Sequence, residues 1–571
     1  MRSELAYIAA LSLAFSAGAQ PVIRASSVVN AANNLPAGLP NAGLAQGSIF
    51  VLKGQNLGAK GTVVASSFPL GSSMGGTSMK IAVGGTTVDV LMIYVVGGLS
   101  DDQGPFDQLA GIVPSNAPTG NGSLTVTYNN QTSAPVPVTI LANAFGIFTI
   151  NQQGSGPGVF TDPNYKVNTL INSAHAGEQW FIWGSGLGAI SGNDANTPPV
   201  GNLNVPVQVY VGGVQANIGY QGRSGCCSGI DQVLITIPPN VSGCYVPVVV
   251  TAAGVPSNFA TMSIAQSGSI CSDPQGYSVA DLQKAQTNTA YTVADLGVFR
   301  ISANLSTPGG SVQGVSDQGS AYFQKYNGPS GILAALPVFL PSTGCIVYTR
   351  PSEGTGLLDN FTLSPQHDYI GGDGGPSLNL SGPQGAQQLA RSDNGSPGAP
   401  DFRYKVDLGG DPPLDTTGPP YLLPGSYTLS GSGGADVGSF SANLTLPSVS
   451  NPWANENDLV NLSRTQDLTI SLNPAGDNIA LGILGNSVNS SIGQIGIINC
   501  AIPPGATSFT IPRYVLSALP ASSLSSDQGG VPTAFLGVAA GLANQTTVHA
   551  NGVDAGAFTW FDLFVKNVNF Q

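Results

Sequence analysis

This 571-residue chain is short of charge: Asp, Glu, Lys and Arg make up 8% of it, where about 25% is usual. Only 17 residues are Lys or Arg, against 30 acids, for a net charge of −13. No basic stripe is available to neutralise phosphates, which excludes nucleic acid as a partner. Three histidines are present, His175, His367 and His549, far apart in sequence. The six cysteines lack the paired C-x-x-C arms of a zinc cluster, and no D-x-[DN]-x-[DN]-G run marks a calcium loop. No G-x-S-x-G falls on a strand-to-helix turn, as a serine hydrolase would need. No run of about twenty apolar residues provides a transmembrane helix. The sequence therefore predicts no catalytic, cofactor-binding or metal-binding constellation.

Glycine and proline are plentiful, at 76 and 42 residues, and hydrophobic residues reach 42%. A core is available, and many short strands joined by Gly, Pro, Asn and Ser turns is the expected texture. Residues 1–19 read as a secretory signal. Arg2 supplies the positive start, Leu5 to Phe15 the apolar stretch, and Ala17-Gly18-Ala19 the small-residue cleavage site. The mature protein is thus expected to be secreted or held at the cell surface.

The chain says nearly the same thing twice. The run Gly47-Ser48-Ile49-Phe50-Val51-Leu52-Lys53-Gly54-Gln55-Asn56-Leu57-Gly58 has a counterpart in Gly177-Glu178-Gln179-Trp180-Phe181-Ile182-Trp183-Gly184-Ser185-Gly186-Leu187-Gly188. Val83-Gly84-Gly85 returns as Val211-Gly212-Gly213, and Asp107-Gln108-Leu109 as Asp231-Gln232-Val233. The offsets of 130, 128 and 124 residues indicate a duplicated domain rather than a solenoid repeat. Gly54, Asn56 and Gly58, with Gly184, Gly186 and Gly188, are expected to form a structural turn. A nucleotide loop is disfavoured, because no helical pattern follows. The exchange of Asn56 for Gly186 points to a left-handed backbone there.

These motifs, with "GRSGCCSGIDQ" and "GCYVPVVV" in the second copy, resemble the paired immunoglobulin-like modules of the IPT/TIG type found in an uncharacterised family of exported bacterial proteins. The resemblance covers about residues 26–266. It implies a β-sandwich and carries over no catalytic residue.

The fold expected is all-β, a multi-domain string of immunoglobulin-like β-sandwiches. Its domains are 26–143 and 144–266, then a β-rich domain 275–446 and a sandwich-like domain 447–571. Ser278 is placed to cap a short helix. Ser123-Leu124-Thr125-Val126-Thr127-Tyr128 alternates at period two, while Tyr245-Val246-Pro247-Val248-Val249-Val250 is more fully apolar.

Six cysteines in an exported chain are expected to be oxidised. Adjacent Cys226 and Cys227 would bond each other only through a strained ring. They are therefore expected to bond separately to Cys244 and Cys271, in an order left open, with Cys345 bonded to Cys500.

Candidate chemistry is sparse. His175 reads as a solvated loop residue, and His367-Asp368 sits in a polar loop. Asp401, Asp407, Asp411 and Asp415 read as turn formers, although a glycoside hydrolase would need two close carboxyls. Among Trp180, Trp183, Trp453 and Trp560, the first two should face opposite sides of one strand, leaving at most one in the core. The function expected is a non-enzymatic binding, adhesion or scaffold module with an extracellular protein or glycan as partner. A carbohydrate-active enzyme with acids in the C-terminal half is the alternative, and a purely structural envelope component a third option.

Overall fold

The computed structural model describes residues 19–571 except 102, 273–277, 308–309, 328–340, 352–368, 397, 411–417, 477, 523 and 526–530. The expected signal segment, His367, Asp411 and Asp415 lie outside the described residues, apart from Ala19. The fold is all-β and multi-domain. Among the described residues, no helix is long and apolar enough to cross a membrane.

Two sheets, antiparallel but for one short pair, form the first unit. One runs in the order Val22–Ile23, Ile49–Gln55, Gly104–Ile112, Leu91–Asp101 and Gly61–Val64. The other runs Leu44–Ala45, Val136–Leu141, Gly120–Tyr128, Thr77–Val83 and Ser73–Met74. Leu44–Ala45 pairs parallel to Val136–Leu141. The second unit repeats this plan. Gly146–Ile147, Gln179–Ser185, Asp231–Thr236 and Asn217–Arg223 make one sheet. Val207–Val211, Gly243–Ala252 and Ala260–Ile264 form the core of the other. A parallel bridge, Ala174 to Ile264, replaces the short parallel pair. Four strands against a sheet containing three further main strands is the immunoglobulin arrangement.

Alternation builds both cores. Phe50, Leu52, Ile81, Leu109, Leu124 and Val126 fill the first, and Trp180, Ile182, Val209, Val233, Val246 and Val248 the second. Gly243–Ala252 is buried at every position. Val246, Val248 and Val250 face the second unit's own core, while Val249 packs with Cys345, Tyr348 and Ile498 of the C-terminal half. A strand covered on both faces needs apolar residues at consecutive positions, which explains its composition.

The C-terminal half begins with helix Val279–Thr287, closed by a Ser278–Asp281 capping box. A sheet of 15 strands among the described residues then runs between residues 290 and 570. The hairpin Ala290–Thr307 and Gly310–Asn327 lies at its centre, and the last strand, Ala555–Phe570, runs parallel to Ala290–Thr307 from Val293↔Ala555 to Asn304↔Lys566. The division expected at 446/447 therefore does not coincide with a break in this sheet. The first strand of the half pairs with the last, which a reading in sequence order could not anticipate. One cluster around Leu296, Phe323, Tyr427 and Trp560 and another around Ile346, Trp453, Ile483 and Leu536 form the cores of this half.

Candidate binding surface

The repeated motifs are structural. Asn56 has φ +55° and Gly186 φ +110°, as the Asn/Gly exchange implies. At Gly54 an added Cβ would strike the Val22 carbonyl, and at Gly184 the Gly146 carbonyl and the Phe145 ring. Both glycines let a neighbouring strand approach. Gly54 lies opposite Asp107, and Gly184 opposite Asp231. The Asp107 carboxylate accepts the Leu57 N–H at 2.9 Å, and that of Asp231 accepts the N–H groups of Gly186 and Leu187, each at 2.8 Å. The repeated aspartate thus holds the repeated turn.

The two units are clamped together. Arg223, fully buried, pairs with Asp231 and donates to the carbonyls of Gly188 at 2.7 Å and Gly47 at 3.1 Å. Ser115 donates its N–H and hydroxyl to Asp194, at 2.7 and 2.9 Å. Asn30 donates to the carbonyls of Ala144 and Ser185.

Cys244 bonds Cys271, with Cα atoms 5.1 Å apart, and Cys345 bonds Cys500. The separate pairing expected for Cys226 and Cys227 is corrected: they bond each other. Their loop is tied by Arg223 and Asp231 to the side facing the first unit. Cys244 instead opens a strand whose side chain packs with Leu282 and Tyr291 of the C-terminal half. The thiols of one pair are thus placed away from those of the other.

The other candidates do not converge. His175 contacts the Gly268 carbonyl at 2.6 Å and Glu178 at 2.9 Å, and these acceptors raise its pKa. His549 is exposed. Asp401 accepts the Gly371 N–H and binds Arg403, while Asp407, expected in a turn, lies within the strand Phe402–Gly410 and accepts the Gly409 N–H there. Gly71-Ser72-Ser73-Met74-Gly75 matches G-x-S-x-G, yet Ser73 lies in a strand that turns back into Thr77–Val83 with no helix following. No group of three potential metal ligands occurs among the described residues.

Two carboxyls have unusual environments. Asp295 sits opposite Tyr322, and burial pushes it up to about 6. Lys405 lies 6.0 Å from the Tyr322 ring centre, and Arg403 lies 5.7 Å from that of Tyr369. Asp562 is pushed to about 7, chiefly by burial and also by Asp317, against the opposing effects of Ser302 and Arg300.

The strand Gln179–Ser185 carries the most distinctive surface. Trp180 and Ile182 point into the core, while Phe181 and Trp183 stand half-exposed on the outer face. Trp183 is therefore the outward tryptophan of the pair. Tyr165, 64% exposed, stacks on Phe181 with ring centres 6.4 Å apart and planes 5° from parallel. It also lies 6.1 Å from Trp183. Its backbone has φ +63°, a strained value for a bulky residue. The loop is fixed nonetheless: Asp162 accepts the N–H groups of Asn164 and Lys166, and Tyr165 donates its N–H to the Asp162 carbonyl. Trp183 Nε1 donates to Thr161 Oγ1 at 2.9 Å. Leu234 and Tyr220 extend this half-buried face across the sheet. Strand alternation marks Phe181 as a companion of Trp183, but no sequence signal brings Tyr165 to them.

No family pattern matches the chain, and no curated protein matches it. Among solved structures, it is similar to a Bacteroides ovatus mixed-linkage glucan utilisation protein, SGBP-B, in complex with a mixed-linkage heptasaccharide. Identity is 12%, coverage 90% of this chain and 96% of that one, and the TM-score 0.13. Domains 4–9 of the surface-layer protein SbsC show 11% identity, coverage of 96% and 65%, and a TM-score of 0.17. An immunoglobulin tandem of titin shows 10% identity, coverage of 43% and 98%, and a TM-score of 0.12. At these TM-scores the resemblances carry no argument about function.

Proposed function

We propose that this is an exported, non-enzymatic surface module, with paired units of the IPT/TIG type, that binds glycan on the outer face of its second unit. The observation that carries the reading is the Tyr165–Phe181–Trp183 cluster, an exposed aromatic surface held by a hydrogen-bonded loop. A contiguous exposed apolar patch marks an interaction site. Aromatic rings with polar edges suit a ligand that is apolar on one face and hydroxylated at its rim, as a pyranose ring is. The clamp through Arg223 supports a binding role, since it mounts the surface on a fixed tandem. Three disulfides fit an oxidising, extracellular location.

The second reading, a carbohydrate-active enzyme, draws on Asp295, whose carboxyl near 6 resembles a general acid. Against it, Asp401 on the same part of the sheet is already engaged by Arg403 and Gly371. A glycan-array screen of the mature protein, run beside a hydrolase substrate screen, separates the two readings.

A further inference from the structure

A second site lies where three parts of the chain meet. A cleft of about 560 Å³ is lined by both immunoglobulin-like units and by the C-terminal half. Its size and its place between domains are those of small-ligand sites.

The walls are fixed in advance. Asn34, with φ +53°, donates its side-chain amide to the Gln152 carbonyl of the second unit at 2.8 Å. Asn258 accepts the Ile147 N–H at 2.7 Å and donates to the carbonyls of Ile147 and Gly154, at 2.9 and 2.8 Å.

Charge in the cleft runs against that of the chain. Arg24 binds both oxygens of Asp101, at 2.8 and 3.2 Å, and Lys53 stands 3.7 Å from the same carboxylate. Burial alone would raise the Asp101 pKa, but Arg24, the Gln103 N–H and Lys53 together outweigh it and hold the carboxyl below its ordinary value. Both cations also lie over the Phe106 ring, at 5.3 and 4.7 Å. Arg350 also lines the cleft. Asp101 is the one acid among the described lining residues, against three cations, Arg24, Lys53 and Arg350. The Lys53 side chain is 41% exposed and its ammonium is the more loosely held of the two cations on Asp101, at 3.7 Å. Side-chain amides and hydroxyls outnumber apolar side chains in the lining, Gln152 and Gln494 among them.

We infer that this cleft binds a carboxylate-bearing saccharide, a uronate unit of an acidic glycan. The ligand's carboxylate would meet Lys53 and Arg24, a charge-assisted contact, and its ring hydroxyls the amides of Gln152 and Gln494. An acidic peptide fits less well, because peptide recognition draws on apolar pockets or open strand edges, and this lining is mainly amide and hydroxyl. The cleft is separate from the aromatic face and takes a different ligand chemistry.

The test is calorimetry on the full mature chain with trigalacturonate, the neutral galactose trimer and triglutamate. Trigalacturonate should bind at least about 10-fold more tightly than either alternative, in line with one charge-assisted contact, and more weakly as salt rises. Lys53→Gln, at a partly exposed site, should lose about 10-fold with an unchanged thermal melt. Gln494→Leu, in the lining contributed by the C-terminal half, should also weaken it. Tyr165→Ala should leave trigalacturonate binding intact, so failure of the aromatic face and failure of this cleft are read separately. Equal binding of the neutral trimer, tighter binding of triglutamate, no binding of trigalacturonate, or a Lys53→Gln affinity equal to wild type would each overturn the inference.

Discussion

Asp107 and Asp231 hold the same place in the two sandwiches, each accepting the backbone N–H of the leucine three residues beyond its partner glycine. They differ in what the remaining oxygen does. In Asp107 it accepts the Gly98 N–H at 2.9 Å, whereas in Asp231 it binds the buried guanidinium of Arg223.

That difference predicts unequal costs. Asp107→Ala should lose about 1–2 kcal/mol, as for a helix or turn cap left unmade. Asp231→Ala strands a buried cation and should cost about 3–5 kcal/mol. Denaturant titration of both variants checks the order, and equal losses would contradict it.

The disulfides make a second prediction. Non-reducing peptide mapping should find Cys226 and Cys227 bonded within one peptide, Cys244 to Cys271, and Cys345 to Cys500. Cys345 and Cys500 face each other on adjacent strands but lie 155 residues apart. Replacing both with Ala should cost at most about 5 kcal/mol by the chain-entropy argument, less if the unfolded chain is compact. A melting temperature unmoved by that double variant would count against the clamp.

Asp562 predicts a pH dependence. Its folded pKa of about 7 exceeds the ordinary 3.8. Between these values the folded chain holds a proton that the unfolded chain has released. Stability from this group therefore falls as pH rises from about 4 to about 7, and is level above that. Asp562→Asn removes the effect while keeping a partner for Ser302. The variant should gain on wild type across this window, by at most about 4 kcal/mol. Parallel stability curves for the two proteins would refute the assignment.

The paired sandwiches were legible because their signals are local. Apolar alternation set the faces of Gln179–Ser185 and Gly120–Tyr128, and the Asn56/Gly186 exchange exposed a left-handed turn. What escaped depends on distant contacts. The pairing of Ala290–Thr307 with Ala555–Phe570 joins the ends of the C-terminal half, so Pro447, which ends the alternating run 440–446, looked like a domain border. Cys226 and Cys227 were judged by ring strain, whereas the positions of Cys244 and Cys271 decide the outcome. Tyr165 reaches Phe181 only through a loop shaped by Asp162.

The most direct measurement of the central claim is affinity of the mature protein for the glycans selected on an array, with reducing-end release monitored in the same samples. Wild type should bind and release none. Trp183→Ala and Tyr165→Ala should each weaken binding by about 5–150-fold, the loss of about 1–3 kcal/mol seen for stacked aromatic contacts in other ligand systems. Release of reducing ends that disappears in Asp295→Asn, or binding unchanged in both aromatic variants, would contradict the account.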